Sequence, residues 1–313
     1  MGMNAEETAR SILDMSIRGA GRIARAGVES IKFHAESFQG DELSTFLKEI
    51  EDARKTIVQS RPTAISLWNG LQAALKGLDS TKSVQEGRDL IGANSDIFIR
   101  DSLEATGRIG YFGSRRISEG DTVLTHCNSH AAISVIKAAH AQGKNIKVFA
   151  TESRPWRQGI LTVNELAKEG IDTTLIIDSA VRSVMRKVNI VLVGADTITS
   201  SGVLINKIGT SQIALAAHEA RVPFLVCTET FKFSPKTLFG DLVHIEERDA
   251  GEIVKKGEIP DSVKVYNPVF DATPPEYIDS IVTEIGLIPP FAAYEVIARQ
   301  LGPEHIFNNM ELL

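Results

Sequence analysis

Apolar residues in the first part of the chain recur at steps of three and four, the spacing of one face of an α-helix. Leu43, Phe46, Leu47, Ile50, Ile57 and Val58 form the cleanest stripe. Arg61-Pro62 interrupts it, because a residue before proline is pushed out of helical conformation, and Ala64, Leu67, Trp68, Leu71, Ala74, Leu75 and Leu78 resume the spacing beyond the break. Between Gly110 and Gly120 the pattern changes. Thr122–His126, Ile146–Thr151, Thr173–Asp178, Ile190–Gly194 and Pro223–Thr228 read as strands, with Ala131–Gln142 and Thr210–Ala220 as helices between them. Near-continuously apolar strands joined by helices predict a parallel sheet covered on both faces. The expected fold class is therefore α/β: an N-terminal helical domain, residues 1–115, followed by a Rossmann-like open parallel sheet domain, residues 116–313. The tail from Val265 carries Asn267-Pro268, Pro274-Pro275 and Pro289-Pro290, which predict ordered turns and a last helix near Ala292–Gln300.

Charge narrows the function classes. The 313 residues include 34 Lys+Arg against 40 Asp+Glu, a net charge of −6, which disfavours nonspecific binding to nucleic acid or acidic membranes but leaves room for a local basic pocket. No run approaches the roughly eighteen apolar residues of a membrane span, and Met1–Ser11 lacks a basic and an apolar leader segment. Two cysteines, Cys127 and Cys227, are too few for a disulfide framework, so a cytoplasmic location is expected.

In open parallel sheets ligands bind beyond the carboxyl ends of the strands. The predicted strands end in His126-Cys127-Asn128-Ser129, Glu152-Ser153-Arg154, Asp178-Ser179, Gly194-Ala195-Asp196 and Glu229-Thr230-Phe231-Lys232. Cys127 and Asp196 each follow an apolar strand, which brings a thiol and a carboxyl into one cleft, a pair able to accept and donate protons. For the thiol to act as a base near neutral pH it needs positive charge nearby, which His126, His130, Lys207 and Lys232 can supply, or proton transfer within the bound complex. The competing reading makes Cys127 a buried small hydrophobe and Asp196 a helix cap. Cys227, ending the run Val222–Val226, reads as a core thiol. Arg18-Gly19-Ala20-Gly21-Arg22-Ile23-Ala24 superficially fits a dinucleotide fingerprint, but no strand precedes it; it reads as a glycine break between helices whose N–H groups and arginines can meet an anion. Lys207 falls on a short hairpin running into a helix whose start, Gly209-Thr210, is a second phosphate candidate. His126, Cys127 and His130 lack the spacing of a metal site, and no G-x-S-x-G elbow is present.

Several segments carry a resemblance. Gly120–Ser129 (GDTVLTHCNS), Val193–Thr197 (VGADT), Ile205–Thr210 (INKIGT), Glu229–Phe233 (ETFKF) and Asn267–Pro275 (NPVFDATPP) resemble the superfamily of initiation factor 2B regulatory subunits and sugar-phosphate isomerases. The likeness runs in order from about Ile17 to Ala298 and is strongest to the archaeal ribose-1,5-bisphosphate isomerase branch. Cys127 and Asp196 are both kept, unlike in the regulatory alpha subunit, and Arg18-Gly-Ala-Gly-Arg22 differs from the R-G-A-P-A-I-G of methylthioribose-1-phosphate isomerases. Position by position, the resemblance implies Cys127 and Asp196 as catalytic pair. It implies substrate contacts from Arg18, Gly19, Ala20, Gly21, Arg61, Ser129, His130, Ala131, Asn206, Lys207 and Lys232. The family segment T-H-C-H-S-K departs here at Asn128 and His130. The implied reaction converts α-D-ribose 1,5-bisphosphate to D-ribulose 1,5-bisphosphate in nucleotide degradation, with no cofactor and no metal, in a homohexamer built as a trimer of dimers. Activation by AMP is an expectation from relatives alone. A non-enzymatic regulatory subunit binding initiation factor 2, or a methylthioribose-1-phosphate isomerase, are the alternatives.

Overall fold

The computed structural model describes residues 2–239 and 243–301. It divides into two compact units, Met1–Ala105 and Thr106–Leu313.

The first unit is helical. Helices α1 (Ala5–Leu13), α2 (Ala20–Ser37), α3 (Leu43–Ser60) and α4 (Ile65–Leu75) are followed by the long α5 (Val84–Ser114), which runs across the boundary into the second unit. Asn4 and Glu7 start α1 with a reciprocal capping box, each side chain accepting from the other's backbone N–H at 2.9 and 3.1 Å. The stripe expected on α3 buries Phe46, Ile50 and Ile57 against Ile23 and Ile31 of α2 and Leu67 and Leu71 of α4. The chain leaves α3 at the expected break: the Arg61 N–H bonds the Val58 carbonyl in a last tight turn, and Pro62 stops propagation.

The second unit is α/β. Its strands and helices follow in the order β1 (Thr122–Thr125), α6 (His130–Ala141), β2 (Lys147–Thr151), α7 (Gly159–Lys168), β3 (Asp172–Ile176), α8 (Val181–Val184), β4 (Ile190–Val193), β5 (Thr197–Ile198), β6 (Leu204–Lys207), α9 (Thr210–Ala220), β7 (Phe224–Cys227), β8 (Phe270–Thr273), β9 (Ser280–Thr283), β10 (Gly286–Ile288) and α10 (Ala293–Leu301). The main sheet has the order β10-β9-β7-β4-β1-β2-β3, parallel except for β10. Alternate residues of its strands enter two cores: Leu124, Val191, Val193 and Val226 pack against α9 and α10, whereas Val123, Leu192, Leu225 and Cys227 pack against α6. Both faces are thus covered, and Cys227 is a core thiol pushed up to about 12 by burial first and by Glu229 second.

The tail corrects one expectation. Where the proline-rich segment reads as turns before a last helix, the structure forms three strands. β9 pairs parallel to β7 and extends the main sheet, β10 folds back antiparallel as its edge, and β8 pairs antiparallel with β6 in a small second sheet of order β5-β6-β8. The helix does follow, as α10. Each of these strands is only three or four residues long, too short to show a local period; β8 and β9 form by pairing with strands far away in sequence, and β10 folds back on β9.

One close approach fixes the exit of β2. A Cβ on Gly159 would lie 1.7 Å from the Thr151 carbonyl oxygen, so α7 can begin over the end of β2 only with glycine there. Gly159→Ala is expected to cost more than about 3 kcal/mol, above the usual range for overpacking because the obstacle is backbone. Denaturant unfolding tests this, and a loss under about 1 kcal/mol would contradict the assignment.

Candidate active site

The order of the main sheet reverses between β1 and β4: from β1 the chain moves to β2 and β3 on one side, and then to β4, β7 and β9 on the other. The crevice beyond the carboxyl ends at such a switch point is where open sheets bind ligands. Cys127 follows β1 and Asp196 follows β4.

His126 organises this edge. Its ring is buried, with Nδ1 2.5 Å from Thr151 Oγ1 on β2 and Nε2 2.9 Å from the Ile208 carbonyl oxygen at the entry to α9. A carbonyl oxygen only accepts, so we assign the proton to Nε2 and let bare Nδ1 accept from the Thr151 hydroxyl. Burial is the main influence holding the imidazole below its ordinary pKa, Lys207 adds to it, and the Ile208 bond and Asp178 only partly oppose it. His126 is therefore a neutral tie, not the source of positive charge that its position suggests in the sequence.

Cys127 takes a left-handed backbone, φ +66, rare for a residue with a side chain, and Ser153 at the end of neighbouring β2 does the same with φ +61. The two lock together. The Cys127 N–H donates to Ser153 Oγ at 2.8 Å, and the Thr162 hydroxyl donates to the Cys127 carbonyl at 2.7 Å. Asp178, beyond β3, accepts the Ser153 and Arg154 N–H groups on its two oxygens, both at 2.8 Å. Burial raises the partly exposed Cys127 thiol above its ordinary pKa; Lys207 and an N–H from Asn128 pull it down, while Asp196 and Asp178 push it further up. The charges of Asp196 and Lys207 thus both reach Cys127. The Asp196 N–H donates to the Ile205 carbonyl at 3.0 Å, which ties Asp196 to the strand that carries Asn206 and Lys207.

The remaining candidates divide between the units. In the second, Ser129 caps α6 by accepting from the Ala132 N–H at 3.3 Å; His130 opens that helix on the surface, and Ala131 is buried. Asn206 is buried and donates to Thr210 Oγ1 at 3.0 Å, and the Lys207 ammonium lies 5.2 Å from the centre of the Phe270 ring. Buried Lys232 is paired with buried Glu229 at 2.8 Å. The start of α9 is also taken: the Asp271 carboxylate accepts from the Gly209 and Ser211 N–H groups at 2.7 and 3.1 Å, which removes it as a phosphate candidate. In the first unit, Gly19 is the N-cap of α2 with φ +87, exposed Arg18 precedes it, and Ala20 and Gly21 form the first turn, with neither a side-chain cap nor an acidic residue there. The Ser66 hydroxyl on α4 donates to the Ala20 carbonyl at 3.0 Å, which ties the start of α2 to the start of α4 just beyond Arg61.

Sequence reasoning missed three residues. In the sequence Asp178 shows only as a strand end, although it buttresses the Cys127 turn. Gln158, just before α7, has a buried side-chain carbonyl oxygen with no hydrogen-bond partner among the described residues, an acceptor available to a ligand. Asp271 lay inside a motif quoted for its resemblance alone. Its approach to α9 depends on β6–β8 pairing, which leaves no local signal.

The family model described as "Initiation factor 2 subunit family" matches residues 16–290. The chain is 53% identical to the ribose 1,5-bisphosphate isomerase of Archaeoglobus fulgidus, over 95% of this chain and 93% of the relative. It is 49% identical to the protein of the same name from Methanocaldococcus jannaschii, over 95% of each. Among solved structures, subunit delta of translation initiation factor eIF-2B from A. fulgidus superposes with a TM-score of 0.75 at 34% identity, covering 94% of this chain and 91% of that one. No helix among the described residues is long and apolar enough to cross a membrane.

In the ligand-free protein the Cys127 thiol is expected to react with iodoacetamide half-maximally above the ordinary thiol pKa of about 8.5. Lys207→Met should raise that midpoint further, since it removes the largest influence favouring the thiolate. Peptide mass spectrometry across pH measures both, and a wild-type midpoint at or below about 7 would contradict the electrostatics described.

Proposed function

The chain belongs to the initiation factor 2 subunit family, and from that membership and the placing of Cys127 and Asp196 at the switch point we propose that it isomerises ribose 1,5-bisphosphate to ribulose 1,5-bisphosphate. The observation that carries the reading is the thiol–carboxyl pair at the crevice between β1 and β4, in a chain about half identical to archaeal relatives named for this activity. The regulatory alternative draws on the solved initiation-factor subunit, at 34% identity.

In the proposed reaction the Asp196 carboxyl gives its proton to the ring oxygen as the bond from C1 to that oxygen breaks, leaving the C4 hydroxyl. Cys127 removes the C2 proton and a C1–C2 enol forms. The thiol then returns a proton to C1 while the Asp196 carboxylate takes the C2 hydroxyl proton, so the ketone forms and both groups recover their starting states. Because burial favours the neutral thiol in the free protein, this scheme has the thiol pass its proton to the Asp196 carboxylate in the bound complex, which forms the thiolate base and the carboxylic acid together. Lys207 and Asn206 face the reacting carbons in this reading, and Lys232 and the start of α6 at Ser129–Ala131 take one phosphate. The resemblance assigns contact with the other phosphate to Arg18 and Arg61. The homohexamer and cytoplasmic location implied by the resemblance belong to the same reading.

Purified protein is expected to turn over ribose 1,5-bisphosphate with kcat/KM about 100-fold above methylthioribose 1-phosphate, since the second phosphate adds charge-assisted hydrogen bonds worth about 1.5–3 kcal/mol each. A preference for the thio sugar, or no product from either alongside tight binding to initiation factor 2, would overturn the assignment. Arg61→Ala should raise KM and leave kcat nearly unchanged, whereas an unaltered KM removes Arg61 from the phosphate site. In D2O the ribulose product should acquire deuterium at C1; exclusion of solvent deuterium, with quantitative transfer of a C2 label to C1, would replace proton transfer by hydride migration.

A further inference from the structure

The turn Lys207–Ser211 connects β6 to α9 and is held from two sides by groups distant in sequence. On one side the Asp271 carboxylate, from β8, takes the Gly209 and Ser211 N–H groups on a single oxygen. Gly209 is the N-cap of α9 and has no side chain to do this itself; with φ +101 it turns the chain through a conformation suited to glycine. On the other side His126 Nε2 donates to the Ile208 carbonyl, and a Cβ at Gly209 would lie 3.3 Å from the ring. Thr210 Oγ1 closes the turn by donating to the Lys207 carbonyl at 2.6 Å. The register that places Asp271 opposite Asn206 also places Phe270 opposite Lys207, with the ammonium over its ring.

We propose that Asp271 is a positioning residue: with His126 opposing it, its carboxylate fixes the Lys207–Ser211 turn and so holds the Lys207 ammonium where it acts on the Cys127 thiol. Two features show how much this arrangement costs the fold. The second carboxylate oxygen of Asp271 is buried with no hydrogen-bond partner among the described residues, a cost that a helix cap need not carry. Burial, only partly offset by the two N–H bonds, raises Asp271 to about 6, so it remains mostly ionised at pH 7 and complements the positive end of α9. The charged groups with the largest influence on Cys127 are Lys207, Asp196 and Asp178, and neutral His126 adjoins it; Asp271 is not among these. Its influence on the thiol therefore runs through Lys207. The catalytic consequence rests on the reading of Cys127 as the base, but the thiol's own titration does not.

The test titrates Cys127 in the full chain by the pH dependence of iodoacetamide labelling without substrate, with kcat and KM measured in parallel. Asp271→Ala is expected to raise the labelling midpoint by about half to one unit, within the range by which a nearby charge moves a pKa, and to lower kcat about tenfold or more with a smaller change in KM. Asp271→Asn, whose one amide oxygen can accept both N–H groups, should restore a midpoint close to wild type. On a Lys207→Met background, Asp271→Ala should give no further shift. Ser211→Pro, tolerated in a first helical turn, deletes one donor while leaving Asp271 intact and should shift the midpoint upward by a smaller amount; it decides the matter if Asp271→Ala does not fold. An unchanged midpoint in Asp271→Ala or Ser211→Pro would overturn the proposal. So would a downward shift shared by Asp271→Ala and Asp271→Asn, the mark of a simple charge effect, or an undiminished shift on the Lys207→Met background. A shifted midpoint with unchanged kcat would instead remove Cys127 from catalysis and leave the positioning intact.

Discussion

A buried, uncharged imidazole bonded through both nitrogens is the interaction on which the carboxyl edge of the sheet depends. His126 reaches from β1 to Thr151 on β2 and to the Ile208 carbonyl before α9. Three segments distant in sequence are thereby joined next to Cys127. The tie requires the neutral ring: desolvation holds its pKa down, and each nitrogen then has a partner of matching polarity. With this frame in place the chain can turn sharply through two left-handed residues, Cys127 and Ser153, whose strain is offset by Asp178 and the Ser153 hydroxyl.

The electrostatics of the edge follow from that frame. Positive charge is present but partly matched: Lys232 is paired with Glu229, and Lys207 is the cation with the largest pull on the Cys127 thiol toward ionisation. Burial dominates, so the resting thiol is neutral. In the proposed reaction this is an advantage, since a neutral thiol does not attract oxidants or stray electrophiles as a resident thiolate would. The net charge of −6 conveys nothing of this, because the relevant charges are few and are placed by tertiary contacts.

Most of the fold was legible because its signals are local. The stripe on α3, the break at Arg61-Pro62 and the apolar runs of β1, β2, β3, β4 and β7 each announce themselves within a dozen residues. The parallel arrangement then put Cys127 and Asp196 at the ends of adjacent strands. What stayed hidden lacks local periodicity. β8, β9 and β10 exist through pairing, and Asp271 caps a helix that starts some sixty residues earlier. The charge of His126 and the ion-pair partner of Lys232 are hidden for the same reason. Residue type gave a histidine and a lysine; only burial and the partners Thr151, Ile208 and Glu229 decide what charge each presents.

The most direct measurement follows ribose 1,5-bisphosphate with the purified chain and its Cys127→Ser variant, using NMR for product and calorimetry for binding. Ribulose 1,5-bisphosphate should accumulate with the unaltered chain and not with the variant, while both bind the substrate with similar Kd. A serine variant with undiminished kcat would contradict the account, because a group other than Cys127 would then remove the C2 proton.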